Sequence, residues 1–160
     1  MLLKLDIYIL MSPLSKINII GIFLYSSLLI GLYFGEDSLG GAFRDYQSHS
    51  HISEKFRNDF MGTLLNYDQL GHRHSPLFYM FKSILIKNEI VMRLFFLHIY
   101  MLIPLFFYKS LKLLFNLKYK NYIKLLSFVL FLFPTIRSYS IWPDPHLLGT
   151  VFFSISIFYF

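Results

Sequence analysis

Residues 17–34 contain no charged side chain. As a helix, that stretch reaches close to the ~30 Å of a bilayer's hydrocarbon core. Its apolar centre is long and no Ala-x-Ala-like site follows, so a retained anchor is expected rather than a cleaved signal peptide. Three further apolar stretches follow: residues 90–108, with Arg93 near one end and His98 and Pro104 inside; residues 122–136, ending against Arg137; and residues 146–160. The last is short for a span and apolar to its final residue, so the chain is expected to be the front part of a longer protein. With 56% hydrophobic, 20% aromatic and 15% charged residues, the chain departs from a soluble domain in the direction of a membrane protein. The fold class expected is all-α: a single membrane domain with three full transmembrane spans and a truncated fourth. The absence of cysteine excludes disulfides, a thiolate metal site and a cysteine nucleophile.

Charge placement orients the spans. Residues 109–124 hold five lysines and no acid, whereas residues 35–75 hold four basic side chains against six acids. The positive-inside rule then puts the 109–121 loop and the N-terminus in the cytoplasm and the 35–75 loop outside. Lysines interleaved with Tyr and Phe can bind nucleic acid; between two spans they are read as a topology determinant, and nucleic acid is excluded.

The outer loop is too long for a simple connection. Tyr46, Ile52, Phe56 and Phe60 share one side of a helix of about fifteen residues, with Asp45 as its N-terminal cap. That helix is expected to lie on the membrane surface with Phe56 and Phe60 pointing down. A second amphipathic helix, residues 76–87, starts at Pro76, a favoured first helical position, and carries Lys82 at its middle. Polar side chains gather at this face: Glu36, Asp37, Asp45, His49, His51, Asp68, His72, Arg73 and His74, joined by Arg137, Asp144 and His146. Two His-x-His pairs near carboxylates suit a metal, but on a helix such rings diverge by about 200°. Solvent-facing or interfacial histidines are therefore expected; no cofactor is assigned, with a divalent metal as the alternative. Gly40-Gly41 is read as a plain turn, and His98 as a satisfied interhelical hydrogen bond.

The run His74-Ser75-Pro76-Leu77-Phe78-Tyr79 resembles the His-Pro-Pro-Leu-Tyr-Tyr box of the C-type membrane glycosyltransferases, the family of protein mannosyltransferases and lipid A aminoarabinose transferases. Met92-Arg93-Leu94 stands where that family has Arg-Leu at the start of a span. Phe133-Pro134-Thr135-Ile136-Arg137-Ser138-Tyr139-Ser140 lies at the place of its Ser-Pro…Arg segment. Ser75 replaces the usual proline, and the family's Asp-Glu…Tyr signature is split here between Glu36-Asp37 and Asp45-Tyr46.

The resemblance implies transfer of a sugar from a polyprenyl-phosphate donor to an acceptor outside the membrane. A carboxylate accepts the acceptor hydroxyl's proton, and cations hold the phosphate leaving group. It implies Asp45 as the base, with Asp37 the alternative, and His74, Arg73 or Arg137 on the phosphate. Pro76 and residues 77–79, ending at Tyr79, would border the polyprenyl groove. The partners implied are the lipid-linked donor, membrane lipid, and either missing C-terminal spans or a partner membrane subunit. The 160 residues alone are expected to be inactive. Two other readings stay open: a non-catalytic membrane protein of polysaccharide assembly or export, and a small transporter subunit. For Asp45 the plain reading is a helix cap; for Arg93 and Arg137 it is snorkelling to headgroups.

Overall fold

The computed structural model describes residues 13–71 and 74–160. Its helices are α1 (Pro13–Phe34), α2 (Ala42–Asn58), α3 (Phe60–Leu65), α4 (Pro76–Leu85), α5 (Glu89–Tyr100), α6 (Leu102–Leu114), α7 (Lys120–Val129), α8 (Pro134–Ile141) and α9 (Pro145–Tyr159). No strand occurs among the described residues. Two helical stretches are long and apolar enough to cross a membrane, Lys16–Phe34 and Glu89–Leu114; a third exists if the bent pair Lys120–Leu132 and Pro134–Ile141 is one span. The architecture is thus all-helical and compatible with a membrane protein.

The second span differs from the sequence expectation. Helix continues through α5 and α6 to Leu114, beyond residue 108, so much of the expected 109–121 loop is helical. A tight turn at Met101, whose N–H bonds to the His98 carbonyl at 3.2 Å, stands just ahead of Pro104. Proline at 104 cannot donate to the carbonyl of residue 100 and its ring crowds that turn. The third expected span, 122–136, is broken at Phe133-Pro134 with a bend of 62°. Phe133 is extended, at φ −68° and ψ 123°, because a residue preceding proline avoids the helical region. α9 matches the expected fourth apolar helix, beginning at Pro145.

Cross-helix contacts give the directions. Asn18 bonds to Lys124 and Ser27 to Arg137, so α1 and the α7–α8 pair run the same way. Tyr25 meets His98 and Leu32 meets Arg93, so α5–α6 run opposite to α1. Tyr100 bonds to Asp144, and Phe106 packs on Phe158, so α9 runs with α6. The termini of these helices therefore gather at two ends: one carries the α6–α7 lysines, the other Glu36, Trp142 and Asp144. α2 and α4 pack on each other at this second end. Their inner faces (Tyr46, Ile52, Phe56, Phe78, Tyr79) merge with Met92, Phe96 and Tyr100 of α5 and with Leu147, Leu148 and Val151 of α9 in one core.

The expected surface placement of α2 changes accordingly. Phe56 is 1% exposed inside the protein core, while Phe60 is 41% exposed and belongs to α3. Asp59 separates the two helices and caps α3, its carboxylate accepting the Gly62 N–H at 2.9 Å.

Candidate functional site

At the α2–α4 end, three segments distant in sequence meet around one carboxylate. Asp144 caps α9: its Oδ1 accepts the His146 N–H at 2.8 Å and lies 2.8 Å from His146 Nδ1. Its Oδ2 is 3.4 Å from Nε2 of His49, on α2. His49 Nδ1 is hydrogen-bonded to the Tyr79 hydroxyl of α4 at 3.0 Å. The bonding sets the tautomers. His146 presents Nδ1–H to Asp144, which leaves Nε2 as its acceptor atom. His49 presents Nε2–H, so Nδ1 accepts from Tyr79. His74 completes the group, its ring edge-on to His146 at 4.6 Å and to His49 at 5.4 Å between centroids.

Burial differs sharply along this chain of contacts. Asp144, His49 and Tyr79 are enclosed, whereas the His146 side chain is 66% exposed. Burial pushes the Asp144 carboxyl up, but the hydrogen bonds from His49 and from His146 backbone and ring outweigh it and hold the group below the usual carboxylate range. Burial pushes the Tyr79 phenol up, so that hydroxyl stays protonated. A cavity of about 230 Å³ opens beside His146, between α4 and α9. His74, Ser75 and His146 form its polar side, and Leu77, Phe78, Leu148 and Phe152 its apolar walls.

The residues singled out in the sequence fall into distinct places. Asp45 is exposed in the first turn of α2, where a negative charge suits the helix dipole. It is not the cap. Asp37 does that work from below Gly40, whose φ of +80° makes the turn: its carboxylate accepts N–H bonds from Gly40, Ala42 and Phe43 at 3.0–3.2 Å. Burial raises the Asp37 carboxyl and these N–H groups, prevailing, lower it. Pro76 opens α4 as expected, with Ser75 accepting the Leu77 N–H. Tyr79 lies beneath the cavity on His49 and is not among its walls. Arg73 and His72 lie outside the described residues.

Arg137 is engaged by the protein itself. Nε and Nη2 reach the two Glu36 oxygens, Nη1 donates to Ser27 Oγ and the Phe131 carbonyl, and Nη2 also donates to the Ser27 carbonyl. This fork-to-fork pair ties α1 to α8; Gly31 passes so close that a Cβ there would strike the Glu36 carboxylate. Arg93, expected at headgroups, is buried: it donates to the carbonyls of Ile141 (2.8 Å) and Leu32 (3.3 Å) and stacks 3.7 Å from the Trp142 ring centroid. His98 is satisfied between helices, with Nε2 2.8 Å from the Tyr25 hydroxyl.

The histidines of α2 diverge as helix geometry requires: His49 is buried and His51 exposed. Among the described residues no group of three His, Asp or Glu side chains has metal-holding geometry. What the pattern hid was the junction at Asp144, together with Tyr139, whose ring stacks on His146 and which lies within electrostatic reach of Asp37, Asp45 and Asp144. The Asp-Pro-His spacing was the one available signal, because Asp before Pro-X is an N-cap pattern.

No family model, curated protein or solved structure matches this chain. No relative, therefore, identifies it as a glycosyltransferase. A functional reading has to stand on the site itself.

Acid exposes the electrostatics of this end. Arg137 holds the Glu36 carboxyl low despite burial, and Asp37 and Asp144 are held low as well. A depressed carboxyl stabilises the fold above its ordinary value, here 4.5 for Glu36 and 3.8 for Asp37 and Asp144. That contribution is lost as pH falls through the lower folded value. Unfolding in mixed micelles is expected to show a steep loss of stability below about pH 4, shallower in Glu36→Gln; an unchanged slope in that variant removes Glu36 from the account.

A buried lysine adds a second window of the same sign at higher pH. Lys82 is fully enclosed under α2, its Nζ donating to the Tyr46 carbonyl at 3.2 Å and to Ser50 Oγ at 2.8 Å. Burial pushes it down to about 7 from 10.5, against the pull of Glu89, Asp144 and Glu54. Between those values the unfolded chain binds the extra proton, so stability rises with pH across that window. Lys82→Met is expected to abolish the rise, and to leave stability near neutral pH equal or higher. Persistence of the rise would assign it to another group.

Proposed function

We propose that this protein is a membrane glycosyltransferase that moves a sugar from a polyprenyl-phosphate donor to an acceptor hydroxyl at the outer membrane face. The observation that carries the reading is the convergence at His49: the box at residues 74–79 meets the acid-bearing helix α2 through Tyr79 and His74, beside a mainly apolar cavity that His74, Ser75 and His146 edge with polar groups. A lipid-linked phosphate needs both characters at once.

In this reading Asp45 is the base, because Asp37 is occupied as a helix cap and Asp45 is open to solvent. The Asp45 carboxylate takes the proton of the acceptor O–H as its oxygen bonds to the anomeric carbon. The bond from that carbon to the phosphate oxygen breaks, and the electron pair leaves with the phosphate. His74 and His146 border the departing phosphate, with the Asp144 carboxylate fixing the orientation of the His146 ring. Leu77, Phe78, Leu148 and Phe152 border the isoprenoid chain. Arg137 is withdrawn from the phosphate role, since Glu36, Ser27 and Phe131 take its donors. The outer location follows from the lysine bias at the opposite end.

The engagement of Arg137 and Asp37 by the fold favours one second reading, in which this end is a structural hub of a non-catalytic membrane protein. A photoreactive polyprenyl-phosphate probe, applied to membranes carrying the full reading frame, separates the two. Labelling of α4 and α9 peptides that unlabelled polyprenyl phosphate competes away supports the enzyme. Labelling that is not competed, or that falls elsewhere, favours the hub.

A further inference from the structure

A further concavity lies at the other end of the molecule, where the functional reading has no use for it. It is a groove of about 680 Å³ between α6 and α7, lined by Leu111, Phe115, Tyr119, Tyr122, Ile123 and Leu126. Its walls are almost wholly apolar, and Phe115, Tyr119, Tyr122 and Leu126 are largely exposed there. Lys112, Lys118 and Lys120 are each next in sequence to one of these residues and are exposed. The full run 109–124 has five lysines and no acid. An apolar slot in a segment whose only charges are lysines is complementary to one kind of molecule abundant beside a membrane helix: a lipid with a negative headgroup. Two tyrosines at the rim sit where amphipathic rings favour the headgroup level.

We propose that this groove binds an anionic phospholipid, with an acyl chain between α6 and α7 and the phosphate held by Lys112, Lys118 and Lys120. The site does not depend on the reaction assigned to the opposite end. The lysines then do more than orient the chain: they select the lipid that fills a gap which the two helices leave between them.

Native mass spectrometry of the detergent-purified full chain, offered equimolar phosphatidylglycerol and phosphatidylcholine, tests it. The wild type is expected to retain phosphatidylglycerol roughly ten-fold or more over phosphatidylcholine. The triple variant Lys112→Gln, Lys118→Gln, Lys120→Gln is expected to lose that preference, and the corresponding Arg triple to keep it. Leu126→Trp, which fills the groove, is expected to lower retention of both lipids. A control triple with the same change in charge, Lys55→Gln, Arg57→Gln, Lys87→Gln, is expected to behave as wild type. Equal retention of the two lipids by the wild type overturns the proposal. So does loss of preference in the control triple, or full retention in Leu126→Trp. Circular dichroism of each variant identifies any that has unfolded; the Arg triple and the control then still decide the matter.

Discussion

Asp144→Ala is expected to destabilise the protein by roughly 3 kcal/mol, the sum of a lost helix cap and of hydrogen bonds to a buried carboxylate. The substitution removes the N-terminal cap of α9 and the partner of both His49 and His146 in one step. His49 is the more costly loss, because its ring is enclosed and cannot turn to water in place of Asp144. Asp144→Asn separates the contributions: an amide oxygen still accepts the His146 N–H, but the charge is gone. It is expected to recover about 1 kcal/mol of the loss, the usual worth of a cap. Unfolding of both variants in mixed micelles checks this, and equal stability of Asp144→Asn and wild type would remove the charge from the argument. A double-mutant cycle with His49→Ala gives the coupling directly.

Arg93→Met is the second large effect. Arg93 sits near the start of the long α5–α6 span yet is only 8% exposed. It donates to Leu32 in the last turn of α1 and to Ile141, the last residue of α8. Carbonyls at helix ends lack intrahelical partners, and a cation there also meets the negative end of the helix dipole. Methionine fills the volume but leaves both carbonyls without their donor and the Trp142 ring without its stacking partner. A loss of roughly 2–4 kcal/mol is expected. The cost should fall on the junction of α1, α5 and α8, so faster proteolysis at residues 35–41 is the measurement that localises it. Cleavage there at the wild-type rate would show that Arg93 does not hold the junction.

Both residues show why the sequence displayed part of this structure and hid the rest. Local signals were readable: Pro76 with Ser75 before it starts α4, Gly40 turns the chain, and His98 inside an apolar stretch finds an interhelical partner. Composition and the spacing of apolar runs are enough for an all-helical fold with two or three stretches apolar enough to cross a membrane. Asp37 suits a candidate base by sequence because a cap normally stands directly before its helix, whereas here the Gly40-Gly41 turn carries the chain back over the carboxylate. Pro134 was absorbed into a continuous span, though its ring forces the break at Phe133. Arg93 suits a headgroup charge by sequence, and Lys82 only marks the middle of its helix, because amphipathic pattern shows which face is polar, not which carbonyls α1, α2 and α8 will bring to it. The His49–Asp144 contact is longer-range still, since nothing near either residue marks the other.

The catalytic claim is separable from these structural ones. Transfer of radiolabelled sugar from polyprenyl-phosphate donors, in membranes carrying the full reading frame, should be compared for wild type, Asp45→Asn and Asp37→Asn. The account predicts transfer by wild type, a loss of about 100-fold or more in Asp45→Asn, and retained activity in Asp37→Asn, which keeps an acceptor for the α2 N–H groups. Transfer that survives Asp45→Asn undiminished would contradict it.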